Sequence, residues 1–95
     1  MRALIVKDPW ATDIVKGYKT IENRTRPTNI KERIGIIKSG SKTVIGEVDL
    51  VDCKVDGNTN HFGRWIYAWI LKNPLEYKQP KPYNHPRGAQ IWVRL

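Results

Sequence analysis

Arg2-Ala3-Leu4-Ile5-Val6-Lys7 opens the chain as a short apolar run between two cations, and its β-branched content predicts a buried strand. Asp8-Pro9 ends it, because proline fixes φ and has no amide hydrogen to give a ladder. From Trp10 to Lys16 the apolar spacing becomes helical, with Trp10 and Ile14, joined by Ala11 and Val15, on the inner side. Asp8 is placed to cap that helix with Pro9 at its first position, and Lys16 lies near its negative end. Gly17 supplies the stop, where a residue with φ > 0 is wanted. Lys19 to Arg24 then reads as a strand, whose alternation puts Lys19, Ile21 and Asn23 on one face and Thr20, Glu22 and Arg24 on the other.

Beyond a loop at Thr25-Arg26-Pro27-Thr28-Asn29, Arg33 to Lys38 predicts another strand, closed by Ser39-Gly40-Ser41. Thr43 to Val55 is the longest extended run. Its apolar set changes parity at Leu50-Val51, the signature of a bulge or bend, and bent strands are how small sheets close into barrels. Asp56-Gly57-Asn58 predicts a turn and Asn60 to Arg64 a helical turn. Trp65 to Leu71 is a strand ended by Asn73-Pro74, and Gln79 to Pro86, with three prolines, predicts an extended surface loop before a last strand at Gln90 to Leu95. Trp65, Trp69 and Trp92 fall in the strands and are expected in the wall or core. Six strands and one firm helix, without helical crossovers between most strands, predict a mainly β (α+β) domain over residues 1–95: a small mixed or antiparallel barrel.

Charge sharpens this picture. Seventeen Lys and Arg face nine Asp and Glu, a net +8. Residues 16–42 hold eight cations and two carboxylates, residues 43–63 one cation and four carboxylates, and residues 64–95 six cations and one carboxylate. Such polarity suits a polyanionic partner. No run approaches the roughly 18 apolar residues of a membrane span, and no signal-peptide pattern opens the chain, so no membrane partner is expected. The single cysteine, Cys53, excludes an internal disulfide, fits a reducing, cytoplasmic compartment, and lies in an alternating run as a buried thiol. His61 and His85 stand far apart, so neither a metal site nor another cofactor is expected.

The chemistry concentrates in Gly17-Tyr18-Lys19-Thr20-Ile21-Glu22-Asn23-Arg24. Lys19 suits a phosphate contact or acid–base work. Glu22 suits the orientation of a cation or an exocyclic amine, and Arg24 has the fork for bidentate phosphate recognition. Trp10 suits either base stacking or anchorage of the helix. Lys38, Ser39 and Lys42 form a candidate phosphate-contacting rim at a strand end, with Arg26 beside them in the basic stretch; His61 and Arg64 are candidates to approach from the next segment. Tyr67 and Tyr83 are candidates to frame a cleft mouth.

Pro9-Trp10, the Gly17 to Arg24 segment, Ile45-Gly46-Glu47-Val48, Ala68-Trp69-Ile70-Leu71 with Asn73-Pro74, and Gly88 before Ile91-Trp92 together resemble the ASCH domain of the PUA-like superfamily. The resemblance implies a β-barrel with a cleft beside the first helix, and a partner that is RNA, other single-stranded nucleic acid or a nucleotide. It places Gly17, Lys19, Glu22 and Arg24 in that cleft. It also offers an alternative in which the domain is a metal-independent ribonuclease, or a hydrolase of a modified nucleoside, with Lys19 and Glu22 as the catalytic pair. Relatives that hydrolyse acetylated cytidine use a threonine three residues after the lysine; here that position is Glu22, and Thr20 is out of register. The small Ala-Ser pair typical of the family after the third strand is replaced by Ser39-Gly40.

Overall fold

A computed structural model of the chain describes residues 1–60 and 62–95. Among the described residues six strands and one helix follow in the order β1 (Arg2–Val6), α1 (Trp10–Val15), β2 (Ile21–Arg24), β3 (Glu32–Lys38), β4 (Thr43–Thr59), β5 (Trp65–Pro82) and β6 (Trp92–Arg94). They form one mixed sheet in the order β2-β5-β4-β3-β1-β6. Only the β1–β3 pair, with Leu4 opposite Ile36, is parallel among the paired strands. Among the described residues no helix is long and apolar enough to cross a membrane.

The main core lies between α1 and the sheet, where Leu4, Val6, Ile34, Ile36, Val48, Leu50, Trp69 and Leu71 meet Ala11, Ile14 and Val15. A six-residue helix is marginal by itself, so packing must hold it. Burying Ile14 and Val15 contributes about 1.5–3 kcal/mol each. A Schellman motif closes its end: Gly17, at φ 83°, donates to the Ile14 carbonyl at 3.1 Å and Tyr18 to that of Asp13 at 2.9 Å. At the other end the Asp8 carboxylate accepts from the Thr12 amide at 3.0 Å and its hydroxyl at 2.8 Å. The hydroxyl bond, helped by Lys38, holds the Asp8 carboxyl below its ordinary range.

The parity change at Leu50-Val51 corresponds to a shift in the β4–β5 register between Leu50 and Asp52. Together with further shifts along the same pair, it curls the sheet. The curl stacks Trp69 of β5 on Trp92 of β6, 5.9 Å apart, although three strands separate β5 from β6 in the sheet. No ladder joins β2 to β6 among the described residues, so the sheet is curled rather than a closed barrel.

Three expectations are corrected: the turn at Asp56-Gly57-Asn58, the end of a strand at Asn73-Pro74, and the surface loop over Gln79 to Pro86, of which residues 79–82 belong to β5. Asp56-Gly57-Asn58 is not a turn; β4 runs on to Thr59, with Gly57 absorbing a φ of 85° inside it. Asn73-Pro74 does not end β5, which continues to Pro82 through Asn73 at φ 54°. Pro80 and Pro82 are tolerated because this stretch of β5 has left β2, which pairs only with Tyr67 to Ile70, and so lies at an edge. Trp65, expected in the wall, is 55% exposed near the tip of the β4–β5 hairpin. Cys53 is partly buried against the main core.

Candidate functional site

A cleft of about 520 Å³ opens between the start of α1, the end of β1 and β2. Its walls carry Lys7, Trp10, Lys19, Glu22, Arg24 and Ser39, with Ile5 and Val6 beneath them. Glu22 is its organising group. The residue is 8% exposed and the only buried polar or charged one among the described residues. One carboxylate oxygen accepts the Arg24 Nε–H at 2.9 Å; the other lies 3.6 Å from the Lys19 ammonium. A carboxylate taken from water needs such partners, since an unpaired buried charge is strongly disfavoured.

Glu22 and Arg24 share a face of β2, as alternation requires. Lys19 was expected on the opposite face. It reaches Glu22 because β2 begins only at Ile21, leaving Lys19 in the turn that follows Gly17, where its amide donates to the Asp13 carbonyl. Arg24 is itself held on three sides: by Glu22, by the Ile5 carbonyl at 2.9 Å from Nη2, and by the Trp69 ring 5.8 Å from the guanidinium carbon. Its fork is thus turned inward, which makes it the residue that orients Glu22, with Nη1 left for a further acceptor.

Trp10 is not on the inner face of α1. Its ring is half-exposed on the cleft wall, while Ala11, Ile14 and Val15 fill the buried side. Ser39 also lines the cleft, but three other expected site residues stand outside it. Lys38 turns to the Asp8 carboxylate at 3.3 Å. Lys42, at φ 57° after the β3–β4 turn, lines a neighbouring hollow of about 330 Å³ with Tyr83 and His85. Arg26, past the end of β2, lines a third hollow of about 280 Å³ with Trp69 and Trp92, and its carbonyl accepts the Trp69 indole N–H at 3.0 Å. Tyr67 packs partly buried against the core, away from the cleft lining. Arg64 lies in the β4–β5 connection, where its amide donates to Asn60, and His61 falls outside the described residues.

Sequence reasoning missed Lys7, Asn23 and Gln90 as lining residues. Lys7 carried a signal, being a cation at the end of a buried strand directly before the helix. Gln90 carried none, because it reaches the cleft only through the long-range antiparallel pairing of β6 with β1, which the Ile5 amide extends by donating to the Ile91 carbonyl at 2.9 Å.

A separate hollow of about 650 Å³ is lined by Glu47, Tyr77, Lys81, Tyr83 and Arg94 among others. Its carboxylate, Glu47, is already engaged by Tyr77 and by Arg33 behind it. Arg33 donates to Glu47 at 2.7 Å and to Asp49 at 3.1 Å, and the Tyr77 hydroxyl donates to Glu47 at 2.6 Å. Burial and the Glu47 bond push the Tyr77 hydroxyl up to about 12, while the bonds from Tyr77 and Arg33 hold Glu47 below its ordinary range. Lys81 lies over the Tyr77 ring at 4.6 Å. This satisfied network is structural. Among the described residues no group of three or more His, Cys, Asp or Glu side chains is placed to hold a metal.

The model of the ASCH domain family matches residues 4–81, and the chain belongs to that family. ASCH domains are generally associated with RNA binding. No curated protein matches the sequence. Crystal structures of the ASCH protein from Zymomonas mobilis share the fold. The unsubstituted protein superposes with a TM-score of 0.76 at 18% identity, covering 99% of this chain and 86% of that one. Two of its single-substitution variants give 0.77 and 0.78, again at 18% identity, covering 99% of this chain and 88% and 87% of theirs. At that identity the likeness establishes a common backbone architecture.

Proposed function

We propose that this domain binds RNA, as a single strand or an unpaired segment of a structured one, in the cleft between α1 and β2. The supporting observation is the buried Glu22 carboxylate held by Arg24 and Lys19 at the foot of a cleft whose rim offers Trp10 and Lys7. Each part suits one element of a nucleotide. The half-exposed indole of Trp10 offers a stacking face. Glu22 accepts from an exocyclic amine. Lys7, without an ion-pair partner among the described residues, meets phosphate, with Lys19 beside it. Arg24 holds Glu22 in place. Lys38 and Lys42 supply longer-range field around the mouth.

A titration of fluorescent single-stranded RNA at rising salt tests this. The logarithm of the affinity is expected to fall linearly with the logarithm of salt, with a slope reflecting several phosphates. No binding at low salt, or binding indifferent to salt, overturns the reading.

The 3.6 Å approach of Lys19 to Glu22 inside the cleft favours a second reading, in which they form the acid–base pair of a metal-independent ribonuclease or modified-nucleoside hydrolase. Incubation with RNA in the presence of a chelator, beside a Lys19→Ala variant, separates the two. Cleavage lost in the variant supports the enzyme; intact RNA that remains bound supports the binding module.

A further inference from the structure

The cleft at Glu22 has a smaller hollow on either side, and the three share residues. Arg24 lines both the central cleft and the hollow of Arg26, Trp69 and Trp92. Ile5, Ser39 and Gln90 line both the central cleft and the hollow of Lys42, Tyr83 and His85. One backbone segment follows all three in order: Ala89 and Gln90 in the Lys42 hollow, Gln90 again in the centre, Ile91 and Trp92 in the Arg26 hollow. The hollows are therefore consecutive stations on one face and not scattered depressions.

Their chemistry repeats. Each station has aromatic surface: Trp92 at one end, the half-exposed Trp10 ring in the centre, and Tyr83 at the other end. Trp92 is already stacked on Trp69, with the Arg2 guanidinium 5.9 Å over its ring, and so borders its hollow without a free stacking face. Each station also has a cation without an ion-pair partner among the described residues, namely Arg26, Lys7 and Lys42 in the same order. Aromatic surface beside a positive charge, repeated along a line, suits successive nucleotides, with base stacking at Trp10 and Tyr83 and edge and phosphate contacts at Trp92 and Arg26. The acidic side chains of β4 leave this line clear: Glu47 and Asp49 are tied to Arg33, and none of Glu47, Asp49, Asp52 or Asp56 lines any of the three hollows.

We infer that the ligand of this domain is an extended single strand of at least three nucleotides, one per station, with the nucleotide at Glu22 in the middle and a neighbour on each side. This rests on the nucleic-acid reading of the central cleft and adds its length and strandedness. A duplex does not fit the inference, because paired and stacked bases present no free ring faces to the three stations.

Competition for a labelled RNA by a nucleoside monophosphate, then by di-, tri- and tetranucleotides and a blunt RNA duplex, tests it. Affinity is expected to rise about tenfold with each nucleotide up to three and then to flatten, with the duplex weaker than the trinucleotide. The double variant Arg26→Ala/Lys42→Ala, whose side chains are exposed, is expected to reduce the ratio of trinucleotide to mononucleotide affinity at least tenfold and to lower the salt slope by about two. A monophosphate that competes as well as the trinucleotide, or a duplex that competes better, overturns the three-station track while leaving the central cleft intact. Failure of every RNA to bind overturns the track and the nucleic-acid reading together.

Discussion

The Glu22 carboxylate accepts the Arg24 Nε–H at 2.9 Å from a partner two residues along the same strand, at a position only 8% exposed to solvent. This is not a surface ion pair, which contributes about 0–1 kcal/mol. Arg24 also reaches across to the Ile5 carbonyl of β1, so the pair ties an edge strand to the far side of the sheet and fixes the cleft floor. The fold carries a desolvated charge in a cleft and satisfies it with two cations.

Replacing that carboxylate with an amide tests its role. In Glu22→Gln one oxygen can still accept from Arg24, but the amide nitrogen would face a cation and the charge that balances both is gone. Stability is expected to fall by about 1–3 kcal/mol, the range for a partly buried charged hydrogen bond left unmade. For a domain of this size that lowers Tm by roughly 4 °C or more in a thermal melt. A change below about 0.5 kcal/mol would mark Glu22 as an ordinary surface residue.

Trp10 separates stability from binding. Its half-exposed ring stands on the wall while its neighbours Ala11, Ile14 and Val15 carry the packing of α1. Trp10→Ala is therefore expected to weaken RNA binding by about 1–3 kcal/mol, the range for loss of one stacked base. Chemical denaturation should register a smaller effect than that for Ile14→Ala, which empties a fully buried position and costs about 2–5 kcal/mol. The opposite order would make Trp10 a structural anchor.

The sequence revealed the strands that have one clear apolar face and the helix with its glycine stop, because those follow from local periodicity and backbone preference. It showed the bend at Leu50-Val51 for the same reason. It did not reveal how β5 passes Asn73-Pro74 and continues through Pro80 and Pro82, because a proline ends a strand only where its amide is needed, and edge position is decided by distant pairing. The same limit applied at the site. Glu22 and Arg24 were legible as one face of a strand, whereas Lys19 joined them from a turn, Lys38 went to Asp8, and Gln90 arrived through the pairing of β6 with β1.

The Arg33–Glu47–Tyr77 network makes a prediction about pH. The Tyr77 hydroxyl is pushed up to about 12 in the fold, against about 10 when unfolded. A group with a raised folded value contributes stability that is fully present below the unfolded value and is lost as pH rises towards the folded one. Stability is expected to fall between about pH 10 and 12, with Tyr83, also raised by burial, adding in the same direction. Glu47, Asp49 and Asp8 are all lowered, so their contribution is present above the ordinary carboxylate range and lost as pH falls through it. Urea midpoints of the wild type and Tyr77→Phe across pH 8–12 check this: the alkaline decline should be shallower in the variant. Parallel curves would remove Tyr77 from the account.

Gly46 sets how closely α1 and the β5 backbone can approach β4, and it belongs to the Ile45-Gly46-Glu47-Val48 motif. Its own φ lies outside the left-handed region, so the requirement for glycine is one of space and not of backbone conformation. A Cβ built there would collide with the Leu75 carbonyl oxygen and would lie 2.7 Å from the Val15 Cγ1 and 2.9 Å from its Cβ. Leu75 is backbone paired across the β4–β5 ladder, and Val15 is 2% exposed in the core, so neither can yield without moving β5 or lifting α1. Gly46→Ala is expected to destabilise by at least about 1–3 kcal/mol, the ordinary cost of overpacking. Gly40→Ala is the control for space, since nothing lies within 4 Å of its Cβ, although its φ of 81° carries a strain cost of its own. If α1 lifts, Trp10 and the cleft wall move with it, so a folded Gly46→Ala protein should also lose RNA affinity, whereas Gly40→Ala should lose stability with less effect on affinity. Equal stability of Gly46→Ala and wild type in urea would show that α1 does not depend on this close approach.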